Sequence, residues 1–230
     1  MKKVTLLTAT AFFCFSSFAQ IKKGSVYLGG DVSLTNIKFE RSSMPSSPNV
    51  PGNGTVKGIV ISPAIGIAIK DNLIAGADIT YQNNKTENYY SAPGTTESKG
   101  AGAGVFIRRY FPVASQFYFF GQARVGYANR NFEQISTSGL ATYDTEEKTW
   151  NMLGGLYPGL SYNVTKSFYL EMGLNNLLQI GYEKTDRTET QTYNSTTTKS
   201  SLTQKGFFIQ SSLSNSTSLN VGVRFIFPKK

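Results

Sequence analysis

Residues 220–230 read NVGVRFIFPKK, and this stretch decides how the chain folds. Its side chains form two alternating rows, with Val221, Val223, Phe225 and Phe227 in one and Asn220, Gly222, Arg224 and Ile226 in the other. Successive side chains of a β-strand point to opposite faces, so the alternation predicts a strand. The guanidinium of Arg224 lies in the middle of the second row. The fold therefore depends on which of the two rows faces the interior.

The N-terminus has the pattern of a secretory signal peptide. A basic start, Met1-Lys2-Lys3, precedes a mostly apolar run from Val4 to Phe18 and a small residue at Ala19. The run is shorter than the roughly 20 apolar residues of a transmembrane helix. The sequence thus predicts a cleaved signal peptide at 1–19 and one domain at 20–230. The single cysteine, Cys14, lies in the signal segment, so we expect no disulfide or thiolate metal site in the mature chain.

Composition points to a β-rich protein of the cell envelope. The formal net charge is +9, but the 23 Lys and Arg are dispersed, so we expect no binding to nucleic acid. The hydrophobic share is only 40%, whereas aromatic residues reach 13% and glycines number 22. After the signal segment no run is long enough for a transmembrane helix.

The rest of the chain contains about eight alternating stretches and no helical periodicity. They lie near 25–35, 58–69, 75–82, 101–108, 117–127, 150–162, 169–175 and 216–227. Whether the Phe207-Phe208-Ile209 patch begins the last strand or belongs to the preceding loop is left open by the pattern.

The connections alternate between short and long. Short turns are predicted at 70–72, 112–116 and 163–167, and long Ser/Thr/Asn/Gly-rich loops at 38–55, 83–99, 129–148 and 183–205. In an up-and-down sheet this places every long loop at one end. Such sorting is typical of barrels embedded in an outer membrane.

The polar row decides which face is internal. It carries three acids and three bases on different strands: Asp31, Asp78, Arg108, Arg124, Glu171 and Arg224. It also carries Gly66, Gly76, Gly102, Gly104, Gly126, Gly155, Gly159, Gly173 and Gly222. A water-facing row gains nothing from so many glycines, whereas a narrow lumen needs the space they leave. Charges inside a lumen must pair, so the sequence predicts a lumen charge network of these six residues and an apolar outer face.

Aromatic residues bracket the apolar row and predict two membrane-interface belts. Phe117, Phe119, Tyr162 and Phe168 lie toward the short turns, with Phe225 and Phe227, and Tyr81, Tyr127 and Trp150 lie toward the long loops.

These features resemble the small outer-membrane β-barrel proteins of bacteria, the OmpA-, OmpX- and OmpW-like group, and the "outer membrane protein beta-barrel domain" family. Asn220, Gly222, Phe225 and Phe227 resemble the C-terminal β-signal read by the barrel-assembly machinery, although Pro228-Lys229-Lys230 follow it. Residues 104–112, GVFIRRYFP, resemble a strand-to-turn segment of the same family. The resemblance implies an all-β, closed antiparallel up-and-down transmembrane barrel of about eight strands in the outer membrane. Its loops would be extracellular and its short turns periplasmic.

Catalysis is not expected. The chain has no histidine, which excludes Ser-His and Cys-His machinery and histidine metal sites, and we expect no cofactor. The main hypothesis is a structural or surface-interaction barrel, with Tyr89, Tyr90 and Tyr143 as possible contact points in the loops. The alternatives are a narrow gated channel lined by Arg108, Arg124 and Arg224, and a soluble lipocalin-like lipid carrier. Expected partners are outer-membrane lipids, including lipopolysaccharide, and the assembly machinery, with the barrel a monomer.

Overall fold

The alternating stretches form ten antiparallel strands in a computed structural model that describes residues 21–41, 52–88, 94–174, 177–211 and 219–229. The strands are β1 (Val26–Arg41), β2 (Gly52–Lys70), β3 (Leu73–Asn88), β4 (Gly94–Pro112), β5 (Phe117–Ser138), β6 (Ala141–Asn163), β7 (Phe168–Leu174), β8 (Leu178–Tyr193), β9 (Thr196–Gln210) and β10 (Leu219–Phe227). In these ranges no helix has the length and hydropathy to cross a bilayer. The predicted signal peptide lies outside the described residues.

The strands close into an eight-stranded barrel. β1 to β6 pair in chain order, and β6 pairs with β7 near the short turns and with β8 farther along. β10 then lies beside β7, and β9 beside β8, so β7–β8 and β9–β10 each occupy one position. Pairing of β1 with β10, from Val26↔Phe227 to Gly30↔Val223, closes the barrel. The predicted closed antiparallel barrel is confirmed.

The apolar row faces outward. Val105 and Ile65 are 63% and 59% exposed, whereas Arg108 and Arg224 are each 5% exposed inside. A lipocalin has the reverse arrangement, with apolar side chains inside and polar ones in water. The soluble-carrier interpretation is therefore wrong.

Two of the predicted long loops are strands instead. β5 and β6 continue through 129–148 to a turn at Gly139, and β8 and β9 continue through 183–205 to a turn at Asn194-Ser195. A membrane-spanning strand needs about 9–11 residues, and β5 and β6 have 22 and 23. Both faces of the extra length meet water, so the apolar alternation that identifies strands is missing there. Threonine pairs such as Thr192–Thr197, 3.2 Å apart at their hydroxyls, and backbone ladders hold these hairpins instead.

The same applies in part to the other two predicted loops. β1 and β2 extend into 38–55, and β3 and β4 into 83–99, while residues 42–51 and 89–93 lie outside the described chain. Phe207-Phe208-Ile209 belongs to β9, which precedes β10 along the same position of the barrel.

The three predicted short turns are confirmed, and the first contains a residue with a special backbone. Asn72 has φ of 58°, a left-handed conformation that asparagine tolerates better than most residues. Its side-chain Oδ1 accepts the Ile21 N–H at 2.9 Å, and its carbonyl accepts the Tyr110 N–H at 2.8 Å. This turn thus ties the β2–β3 connection to β4 and to the start of the described chain.

Replacing Asn72 separates backbone strain from side-chain bonding. We expect Asn72→Ala to lower the free energy of unfolding by about 2 kcal/mol, because strain adds to the lost hydrogen bond. Asn72→Gly loses only the bond, so it should cost about 1 kcal/mol. Urea unfolding of the refolded barrel in lipid vesicles measures both. Equal costs would contradict this account of the turn.

Candidate functional site

Aromatic side chains fill the short-turn end of the lumen. Tyr27, Phe106, Tyr110, Tyr118, Phe120 and Tyr169 point inward and are buried, together with Ile74 and Ile226. We call these eight residues the plug. Their rings pack edge-on or tilted, with centroids 5.7 Å apart for Tyr27–Phe106 and 6.0 Å for Tyr110–Phe120. This end of the barrel is a packed core.

A buried ion cluster lies on the plug with Glu171 at its centre. Glu171 Oε2 accepts a hydrogen bond from Arg108 Nη1 at 2.5 Å and lies 3.2 Å from Arg224 Nε, and Oε1 accepts the Tyr110 hydroxyl at 2.6 Å. Arg108 also donates to Gln122 and lies 4.5 Å from the ring centre of Phe120. A buried carboxylate without such partners would be strongly destabilising.

Arg224 extends the cluster across the closing ladder. Its Nη2 donates to Asp31 Oδ1 on β1 at 2.8 Å, and its Nη1 donates to the Gly30 carbonyl at 2.8 Å. A Cβ at Gly29 would lie 2.5 Å from Arg224 Cδ, so a side chain there would displace the guanidinium. The guanidinium in NVGVRFIFPKK thus links the first and last strands from inside.

A second ion pair lies farther from the short turns. Arg124 on β5 binds Asp78 on β3 through both Nε and Nη2, at 2.5–3.0 Å. To reach it, the side chain passes Gly126 on its own strand and crosses β4 over Gly104, the register partner of Gly126. A Cβ at Gly104 would lie 2.6 Å from Arg124 Nη2. The two glycines have no side chain, and this leaves the space in which Arg124 lies.

The six predicted lumen charges thus form two groups. Arg108, Glu171, Arg224 and Asp31 form one, and Arg124 with Asp78 forms the other. Beyond the plug lies a cavity of about 540 Å³, lined by both groups and by Gln82, Asn151 and Arg130. In the described chain no group of three or more potential ligands could hold a metal ion.

The predicted belt residues lie on the outer wall at two levels. Near the short turns, Phe117 contacts Tyr162 and Phe168 contacts Phe225, with centroids 4.7 and 5.3 Å apart. At the other level Tyr81 and Tyr127 are exposed outward, and Tyr127 lies 6.3 Å from Trp150. Trp150 continues to Tyr182 at 5.5 Å, and Tyr182 to Phe207 at 4.9 Å. Neither Tyr182 nor Phe207 was predicted to belong to a belt, because Tyr182 lay outside the predicted strands and the pattern left the element of Phe207 open.

The plug was also missed. The sequence does indicate it, because Tyr27, Phe106 and Tyr118 lie in the same alternating row as the charged residues and therefore face the lumen. The prediction assigned this row to glycine and charge alone and therefore included no packed aromatic end.

An eight-stranded barrel with an apolar wall and a charged lumen defines the class of outer-membrane β-barrels. Residues 5–227 match the family described as outer membrane protein beta-barrel domain, and the chain belongs to that family. Membership of this family supports a location in the outer membrane.

Two solved structures are similar to this chain over most of its length. OprG from Pseudomonas aeruginosa is 12% identical, with 90% of this chain and 98% of that chain covered and a TM-score of 0.45. Neisserial surface protein A is 18% identical, with 87% and 96% covered and a TM-score of 0.35. No curated protein matches the chain significantly.

Adjacent arginines on opposite faces of β4 test the ion cluster. Arg108→Met leaves Glu171 with fewer cationic partners, and we expect a loss of about 3 kcal/mol in the free energy of unfolding. Arg109→Met is the matched control, because Arg109 is exposed and lies 5.6 Å from the ring centre of Phe111. Its loss should stay within about 1 kcal/mol. Urea unfolding in vesicles gives both values, and similar losses would contradict the buried role of Arg108.

Gly104→Val tests the space above β4. The new side chain should push Arg124 away from Asp78 and destabilise the barrel by about 3 kcal/mol. Ala103→Val adds similar volume to the exposed outer face and should change stability by less than about 0.5 kcal/mol. In the double variant Gly104→Val/Asp78→Asn the two effects should not add, because both remove the same ion pair. Additive losses would show that Gly104 acts independently of the pair.

Proposed function

We propose that this protein is an integral outer-membrane barrel with a structural and surface-interaction role, and that it does not conduct solutes. One observation carries the proposal. The plug and the Glu171 cluster fill the lumen at the short-turn end, with Tyr118 and Ile74 at 0% exposure and Tyr27 and Tyr110 at 1%. A solute crossing the barrel would have to displace these side chains.

Moving the plug is costly because it is packed and bonded together. Tyr110 contacts Tyr118 and Phe120 through its ring and Glu171 through its hydroxyl. Displacing it would leave a buried carboxylate with one partner fewer. The plug and cluster support a rigid, closed barrel.

The outer ends of the hairpins support the interaction role. β5–β6 and β8–β9 extend well beyond a membrane-spanning length and carry exposed residues such as Tyr143, which is 42% exposed. Tyr89 and Tyr90 lie outside the described residues. We propose that these extensions present the surface on which partners of the protein bind.

A gated channel is the second candidate. The cavity of about 540 Å³ beyond the plug, with Arg124 and Arg130 in its wall, favours it. Solute entry from the hairpin end would then need a conformational change at the plug.

We also propose that the protein is not an enzyme, since the chain has no histidine and Asp31, Asp78 and Glu171 are each engaged by arginine. For assembly, we propose that β10 is the segment read by the barrel-assembly machinery. It supplies the closing ladder, and Phe225 and Phe227 stack outward, 6.3 Å apart. Cleavage of residues 1–19 and a monomeric state belong to the same proposal.

Planar-bilayer recording tests the closed lumen. The wild-type barrel should show no steady channels, whereas Tyr110→Ala/Phe120→Ala should conduct, because it empties the plug of two rings. The matched control, Phe111→Ala/Phe119→Ala, removes two outward rings from the same strands and should stay silent. A heat-modifiability gel would verify that each variant is folded. Steady wild-type channels would overturn the proposal in favour of the gated channel.

A further inference from the structure

A group of lysines lies on the outer wall directly beyond the upper row of aromatic rings. Lys148, Lys184 and Lys205 each follow or precede a ring of that row by two residues, namely Trp150, Tyr182 and Phe207. Residues two apart on a strand share a face, so these lysines project from the same outer surface as the rings. We call the three the lysine patch.

The lysine patch has an excess of positive charge. Lys184 is the register partner of Lys205, and Lys148 is the register partner of Asp186. Asp186 accepts hydrogen bonds from Lys184 at 2.9 Å and from Thr203 at 2.7 Å, and these bonds lower its pKa. Glu146 lies two residues from Lys148 on the same face of β6, so three cations share this surface with two carboxylates. Like charges placed opposite each other destabilise a sheet unless an anion joins them.

Two of the three lysines on the other side of the barrel are in ion pairs, and the third, Lys57, is the register partner of Lys85. Lys85 lies 2.6 Å from Glu87, and Lys99 lies 2.7 Å from Glu97. The hydrogen bond to Glu97 raises the pKa of Lys99. In the lysine patch only Lys184 is in an ion pair, and Lys148 and Lys205 form none within the ranges that the structure describes.

An apolar groove lies below the lysine patch on the same strand. Gly154 faces outward between its register partners Val125 and Ile180, and leaves a hollow of about 520 Å³ that Ile107, Leu156 and Leu178 also line. Along β6 the order is Lys148, Trp150, Met152, Gly154. At about 3.3 Å per residue, the groove starts roughly 20 Å from the lysine and well inside the apolar wall.

We propose that the lysine patch and this groove form a binding site for a phosphorylated glycolipid of the outer leaflet. The phosphate groups contact Lys148, Lys184 and Lys205, at the level where head groups meet the aromatic belt. One acyl chain lies along β6 in the groove at Gly154. Charge complementarity selects the phosphates, and the groove selects a lipid over inorganic phosphate.

Trp150 provides the measurement, because it is the single tryptophan of the chain and lies between patch and groove. Diphosphoryl lipid A with brominated acyl chains, added to the folded barrel in detergent micelles, should quench Trp150 saturably. The dephosphorylated lipid should bind much more weakly, and inorganic phosphate alone should not displace the bound lipid. Raised salt should weaken binding, since the patch is exposed.

Two sets of variants test the assignment. Lys148→Gln/Lys184→Gln/Lys205→Gln should weaken binding on the order of 100-fold, at about fivefold for each lysine near a membrane surface. The control Lys57→Gln/Lys85→Gln/Lys99→Gln removes the same charge from the opposite wall and should retain wild-type affinity. Gly154→Leu adds a side chain to the groove, at a position where a Cβ meets no atom closer than 3.7 Å, and it should also weaken binding.

Equal binding of the two lipids, or wild-type affinity in the first triple variant, would overturn the site. Equal losses in both triple variants would also do so, because the effect would then be one of net charge. The gel shift of the folded barrel verifies every variant. Bilayer recording tests only the lumen, so failure of the lipid site leaves the closed-barrel proposal unaffected.

Discussion

The structure depends on the neutralisation of charge inside a barrel that is packed with side chains at one end. Glu171, with its side chain 2% exposed, holds Arg108 and Arg224 from two other strands. An isolated charge at such a site would destabilise the barrel, whereas the paired set fixes where these strands lie relative to one another. The glycines and the plug follow from the same constraint. Glycines leave parts of the inner wall without side chains, and the long cationic side chains lie there. The rings of the plug exclude water, which would weaken the ion pairs.

The outer wall obeys the complementary constraint. Lipid offers no hydrogen bonds, so every strand at that depth must be paired and every side chain facing it must be apolar. Val105 and Ile65 meet this requirement on the same strands whose inner faces carry Arg108 and Ala64. Because its side chains alternate, a single strand presents apolar residues to the lipid and polar or small residues to the lumen.

Much of the fold could be predicted from sequence because this alternation is a local property. NVGVRFIFPKK indicates its two faces without reference to any other strand, and the positions of Asp78 and Arg124 on the polar row follow by counting. Which acid meets which base could not be predicted, since partner choice depends on barrel shear and on paths such as that of Arg124 over Gly104 and Gly126. The hairpin extensions were mistaken for loops because a strand with water on both sides has no apolar period. The plug was not predicted, because aromatic side chains are common both on a lipid-facing surface and in a packed core.

The closing ladder has a consequence for the order in which the protein can form. Asp31 and Arg224, which bond across it, are 193 residues apart in the chain. Neither this contact nor the complete Glu171 cluster can exist until the final strand has left the ribosome and crossed the inner membrane. Any chain cut short before Arg224 would leave Asp31 without its guanidinium and β1 without its neighbour. The topology therefore acts as a check on the polypeptide, because the barrel cannot close until β10 is present.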